Sequence, residues 1–184
     1  PDGIEDHPYF VTTRQINGEP VRFIERLESR NFASQDEAWF VDAGATFDGT
    51  KTGDPITVTS TTGGFTPSDV LQVTTVAPNF TVNSVNDAII LTDSAGIKHR
   101  LLIIEHVSSW IVYCHVDYDL PVELQSVAVP TWVLAQDTIS GITWLEGEEV
   151  SILADGAVHP KRTVLNGSIT LDRAVEFAII GLPI

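Results

Sequence analysis

Apolar and polar residues alternate along this chain in short runs. Gly, Pro, Asn and Asp break them at intervals of about 8–12 residues, a pattern that predicts strands joined by turns. The clearest stretch is 140–173. There Asp155-Gly156 separates Val150–Leu153 from Ala157–Val158, and Asn166-Gly167 separates Thr163–Leu165 from Ser168–Leu171. Asn and Asp tolerate positive φ and Gly adopts it freely, so both pairs suit type I′ turns, whose twist matches paired strands. Three short antiparallel strands joined by two hairpins are expected here.

The same signals continue along the chain. Residues 1–8 read as a linker. Tyr9–Ile16 and Val21–Leu27 flank the hairpin signal Asn17-Gly18-Glu19-Pro20, with Val21, Phe23 and Glu25 on one face of the second arm and Arg22, Ile24 and Arg26 on the other. Ala38–Asp42 reads as a short buried strand. From Gly44 to Asp54 the composition turns to Gly, Thr and Asp, as at a domain boundary. Ile56–Ser60 and Val70–Val76 follow as strands around Thr62-Gly63-Gly64, and Ala88–Thr92, Leu101–His106 and Trp110–Val116 as a meander. Leu120–Pro130 suits a connector, Gln136 onward leads back to the organising stretch, and Glu176–Ile180 makes a last strand. Glu146–Val150 is the one place where a helical turn competes, and Gly147 argues against it. The fold class expected is all-β. It divides as a small antiparallel barrel or sandwich from 9–49 plus 136–184, with a second barrel-like domain, 50–135, inserted.

Composition narrows the function classes. The 184 residues are 43% hydrophobic with mean hydropathy +0.12, a globular composition long enough to bury a core. Twenty-five acidic residues against 10 basic ones give a net charge of −15, which opposes binding to nucleic-acid phosphates or anionic lipid. A surface past which DNA moves without adhering remains open. The lone Cys114 excludes an intramolecular disulfide and a cysteine zinc site, and within the run 110–114 it reads as a buried, inert thiol. No signal peptide opens the chain, and no apolar run approaches the ~18 residues of a membrane span. Pro1 at the start, the absence of Met and the apolar end Gly181-Leu-Pro-Ile184 suggest a piece of a longer polypeptide.

Four groups of residues could carry chemistry, and each has a plainer reading. His115 and Asp117 share a strand face, but no Ser or Cys is placed to complete a catalytic arrangement, so an edge pair is expected. His99, His106 and His115 fall in the meander without a ligand spacing, as expected of separate positions at strand ends. Glu146, Glu148 and Glu149, with Asp117 and Asp119, are the densest carboxylates. They match no calcium-loop spacing and read as a solvated face. Trp39, Trp110, Trp132 and Trp144 could stack on sugars, but three of the four sit in apolar runs that favour packing. The sequence therefore assigns no catalytic, cofactor-binding or metal-ligating residue.

Three segments together resemble the tail nozzle (tail tubular B-like) proteins of tailed bacteriophages. They are Arg14-Gln15-Ile16-Asn17-Gly18 with Val21-Arg22-Phe23-Ile24-Glu25-Arg26-Leu27; Trp39-Phe40-Val41-Asp42-Ala43-Gly44; and Ser140-Gly141-Ile142 with 145–160 and 166–172. They cover about half the chain in the family's order, with Trp144 where the family pattern often shows His. The intervening region, roughly 50–135, matches the position of an inserted small β-barrel in that family. The resemblance implies a non-enzymatic virion component made in the bacterial host cytoplasm. Its partners would be copies of itself in a ring and neighbouring tail proteins, with genomic DNA passing through transiently. An acidic lumen would then repel the DNA phosphates. The alternative is a module binding host-surface glycan through the inserted barrel and its tryptophans. A carboxylate-dependent glycan hydrolase is a third reading, weakened because its acidic pairs fall in different expected domains.

Overall fold

The computed structural model describes residues 8–26 and 41–183. The expectations for the 1–8 linker up to residue 7, and for the strand at 38–42 up to residue 40, lie outside these residues. The described residues are nearly all β, with only short 3-10 turns at Val82–Ser84, Val122–Leu124 and Thr143–Leu145.

Strands β1 (Tyr9–Ile16) and β2 (Glu19–Arg26) form a two-stranded hairpin. Its loop is the Asn17-Gly18 pair alone, both at positive φ (50° and 80°), so β2 begins two residues earlier than the sequence reading placed it. A four-stranded sheet has the order β11-β10-β13-β3, from β3 (Val41–Asp48), β10 (Glu149–Ala154), β11 (Ala157–Thr163) and β13 (Phe177–Pro183). β13 is central, and Ala178–Gly181 is a continuous buried run, as a strand covered on both faces requires. Gly181 lets the backbones close in: a Cβ there would stand 2.7 Å from the Asp42 carbonyl oxygen.

The remaining sheet closes on itself. β4 (Thr50–Ser60), β5 (Leu71–Thr75), β8 (Ile111–Val116), β7 (Lys98–Ser108), β6 (Ala88–Thr92) and β9 (Ala128–Ser140) follow one another, and β6 pairs back onto β9 to complete a six-stranded antiparallel barrel. β12 (Ser168–Val175) lies beside β9 as a seventh strand. Alternate positions fill the interior: Ile56 and Val58, Leu71 and Val73, Leu101 and Ile103, Val112 and Cys114, with Phe80 and Trp132 the bulkiest members. Burial pushes the Cys114 thiol far above its ordinary range, which matches the inert reading.

Two compact units result, one of Pro1–Phe47, Thr138–Leu171 and Phe177–Ile184, the other of Asp48–Asp137 and Asp172–Glu176. The division between the units falls between Phe47 and Asp48, inside the 44–54 stretch where a boundary was expected, and the chain there runs as strand on either side of Gly49. Gly49 donates to the Glu176 carbonyl and accepts from the Leu134 N–H, each at 2.9 Å. Two expectations are corrected in detail. The three-strand meander of 150–171 holds only as far as β10 and β11. Past the Asn166-Gly167 turn a single Leu165–Ser168 bridge remains before β12 leaves to lie beside β9. Residues Asp172–Glu176, assigned to the terminal domain from sequence, belong to the barrel unit.

The barrel contains one buried carboxyl that sequence reasoning passed over. Asp87, 3% exposed, precedes the short β6–β9 seam and accepts the Asp137 N–H at 3.2 Å and the Gln136 amide at 3.4 Å. Burial, more than the repulsion from Asp137, raises its pKa from 3.8 to about 6 despite those hydrogen bonds. A carboxyl raised in this way favours the folded state when protonated. That contribution is complete below about pH 3.8 and is lost as pH rises through about 6. Asp87→Asn is therefore expected to match the parent near pH 4 and to melt at a higher temperature than it at pH 8. Paired thermal melts across this range check it, and a difference that stays flat with pH would refute the assignment.

Candidate functional surfaces

The carboxylates that looked like one acidic face are spent separately. An Asn-Gly type I′ turn leaves two N–H groups pointing outward without strand partners. Glu146 meets both at the second such turn: its Oε1 accepts from Asn166 N–H at 2.9 Å and its Oε2 from Gly167 N–H at 2.6 Å. Glu148 meets one N–H of the other such turn, accepting from Asn17 of the β1–β2 hairpin. Both are half-buried, whereas Glu149 is exposed and lies 3.3 Å from Lys161. The expected solvated face is thus corrected: two of its three glutamates are turn acceptors. Glu146→Ala is expected to cost about 1–2 kcal/mol by orphaning two turn donors, with Glu146→Gln costing less because one acceptor oxygen remains. Urea midpoints of the two variants check the order.

A second anchor holds the hairpin. The Arg14 guanidinium grips the Glu25 carboxylate at 2.8 and 2.9 Å and reaches Asp42 on β3 at 2.7 Å. The Arg14 hydrogen bond lowers the Glu25 pKa, and the same contact raises that of Arg14. At the hairpin tip, a Cβ on Gly147 would come within 3.2 Å of the Asn17 side chain, and Gly147 itself sits at φ +81°. Gly147 therefore packs against Asn17 of the hairpin turn, whereas Gly167 packs against Thr143.

The histidines are dispersed. His99 Nε2 lies 3.1 Å from Asp93 Oδ2, and the Asp93 pKa falls through that contact and through backbone N–H donors. His115 Nδ1 lies 3.0 Å from the Asp69 carbonyl oxygen, while Asp117 lies 3.5 Å from Arg100. In the strand register His99 faces Leu91, His106 faces Val112 and His115 faces Leu102, so no two of them are paired. Among the described residues no group of three or more His, Cys, Asp or Glu is placed to hold a metal ion. Asp69 is a loop acceptor for the Thr62 and Thr66 hydroxyls and the Thr66 N–H, which lower its pKa.

The tryptophans separate into different roles. Trp132 is buried at 1% exposure, its indole N–H donating to the Asp54 carbonyl at 2.8 Å and its ring tilted against Phe80. Trp144 and Trp110 are 40% and 44% exposed, the former donating to the Ala43 carbonyl at 3.0 Å. Trp39 lies outside the described residues. A sugar platform built from the barrel's tryptophans would thus have only Trp110 to offer.

No protein-family model and no curated protein matches this chain. No helix among the described residues is long and apolar enough to cross a membrane.

Proposed function

We propose that the chain is a structural, self-assembling module of a phage tail nozzle-like protein, part of the passage through which the genome moves. The observation that carries this reading is the use of the resembling segments. Arg14 from the first reaches Asp42 from the second, Asn17 from the first donates to Glu148 from the third, and Glu146 holds the third segment's own Asn166-Gly167 turn. Residues so engaged maintain a shape. The net charge of −15 supports the accompanying idea that DNA passes without adhering. Immunogold labelling of purified particles with antibody against this chain tests the reading. Label at the distal tail of the virion is expected, and particles that exclude the antigen would overturn it. Glycan binding at the host surface is kept as the second reading on the exposure of Trp110 alone.

A further inference from the structure

The two Asn-Gly turns of this chain share a sequence and a backbone conformation but have opposite surroundings. Asn17-Gly18 and Asn166-Gly167 both sit at positive φ, 50° and 80° in the first, 54° and 68° in the second. The second turn is closed. Gly167 is buried, its N–H is held by Glu146 at 2.6 Å, and a Cβ there would stand 2.4 Å from Thr143 Cγ2. The first turn is open. Asn17 and Gly18 are exposed, and nothing lies within 4 Å of a Cβ built on Gly18. Glu148 takes the Asn17 N–H, and among the described residues no acceptor meets the Gly18 N–H.

That free N–H carries the chemistry. The main-chain nitrogen after an asparagine can attack the side-chain carbonyl carbon to close a cyclic imide, and glycine, without a Cβ, obstructs the attack least. Here the Gly18 nitrogen would bond to Asn17 Cγ as the Cγ–Nδ2 bond breaks. The side-chain nitrogen leaves as ammonia with the proton from Gly18. Water then opens the ring at either carbonyl and leaves aspartate or isoaspartate at position 17. The attacking nitrogen must shed its proton and turn toward Cγ. At Gly167 the charge-assisted hydrogen bond to Glu146 and the packing on Thr143 oppose both steps. Neither restraint acts at Gly18.

We propose that Asn17 is a site of spontaneous deamidation, that Glu146 shields Asn166 from the same reaction, and that conversion at Asn17 releases the hairpin turn from Glu148. Two features of the product drive the release. The Asn17 side chain lies over Gly147, where a Cβ would come within 3.2 Å of its Cγ and Oδ1. A carboxylate in its place adds negative charge beside Glu148, which already accepts the Asn17 N–H, and the like charges repel. Isoaspartate also lengthens the main chain by one carbon. The two-residue loop that sets the Ile16–Glu19 register then no longer fits its turn type. The Arg14–Asp42 contact is untouched, so the hairpin loosens from its tip. The result is a slow, irreversible clock that consumes only water and does not depend on the tail reading.

Ageing the 184-residue chain in mildly alkaline buffer, with peptide mapping by mass spectrometry, tests the proposal. In the folded chain Asn17 is expected to convert about tenfold faster than Asn166 or more, since a hydrogen bond to a charged group must break at Gly167. In urea, where both turns are lost, the rates should agree within about twofold. Glu146→Ala is expected to speed conversion at Asn166 about tenfold and leave Asn17 unchanged, with Glu146→Gln between the two. Asn17→Gly keeps a type I′ turn and abolishes the reaction at 17. Hydrogen exchange then reads the hairpin. Amides of β1 and β2 are expected to exchange faster in the aged parent and in Asn17→Asp, and not in aged Asn17→Gly. Equal rates at the two sites in the folded chain overturn the proposal, as does a rate ratio that persists in urea. Slower conversion of Asn166 in Glu146→Ala would make the glutamate a base and overturn the shielding. An aged chain converted at position 17 whose hairpin amides stay protected overturns the release.

Discussion

Gly49→Ala is expected to lower the melting temperature of the barrel unit by about 10 °C or more, or to prevent its closure, a cost of about 3–5 kcal/mol. The reason is the close approach of backbone. A Cβ at position 49 would stand 2.2 Å from the Leu134 carbonyl oxygen, and main-chain atoms cannot swing aside as a side-chain tip can. Gly49 also holds two main-chain hydrogen bonds at once, to Glu176 and Leu134, and relief of the clash would break at least one of them. The usual cost of overpacking, about 1–3 kcal/mol, is therefore exceeded. Near-ultraviolet circular dichroism, which reports the packed Trp132, gives the readout. A shift of the midpoint within about 1 °C would show that β4 and β9 are not so closely apposed there.

The second large effect is at the barrel centre. Trp132→Ala removes the bulkiest interior side chain and leaves Phe80 facing a void, for an expected loss of about 3–5 kcal/mol. Trp132→Phe separates the two parts of that loss. It keeps most of the volume but leaves the Asp54 carbonyl without its indole donor, so a smaller loss of about 1–2 kcal/mol is expected. That carbonyl sits where β4 slips register against β9 between Thr52 and Ile56, with Gly53 at φ +84°. The indole thus ties down a β-bulge, and the bulge is where the Phe variant should first show faster amide exchange. Equal stabilities of the Ala and Phe variants would contradict this division.

Turn chemistry was the legible part of this fold. Asn17-Gly18, Asp155-Gly156 and Asn166-Gly167 all adopt the paired positive φ angles that their residue types prefer, since that preference is local. Period-2 alternation likewise revealed the barrel strands, because each closed strand has one face inside and one outside. The errors arose where a distant partner decides. Gly, Thr and Asp between 44 and 54 do not look like strand composition, yet they lie in β3 and β4, and Gly49 between the two strands permits a close approach that depends on Leu134. The Asn166-Gly167 turn was plain, but nothing near it says that β12 continues beside β9 rather than beside β11. The surfaces were less legible than the fold. Glu146 and Glu148 read as charge density because their acceptor role depends on N–H groups 20 and 131 residues away in the chain. Asp87 gave no signal, since its burial is set by the seam where β6 meets β9.

The central claim is that this chain serves assembly, and the solution mass of the polypeptide that carries it tests this most directly. Light scattering is expected to show a discrete ring-sized oligomer with no retention of duplex DNA at low salt. A polypeptide that remains monomeric at every concentration while binding host glycans would contradict the account and make the chain a receptor-binding module.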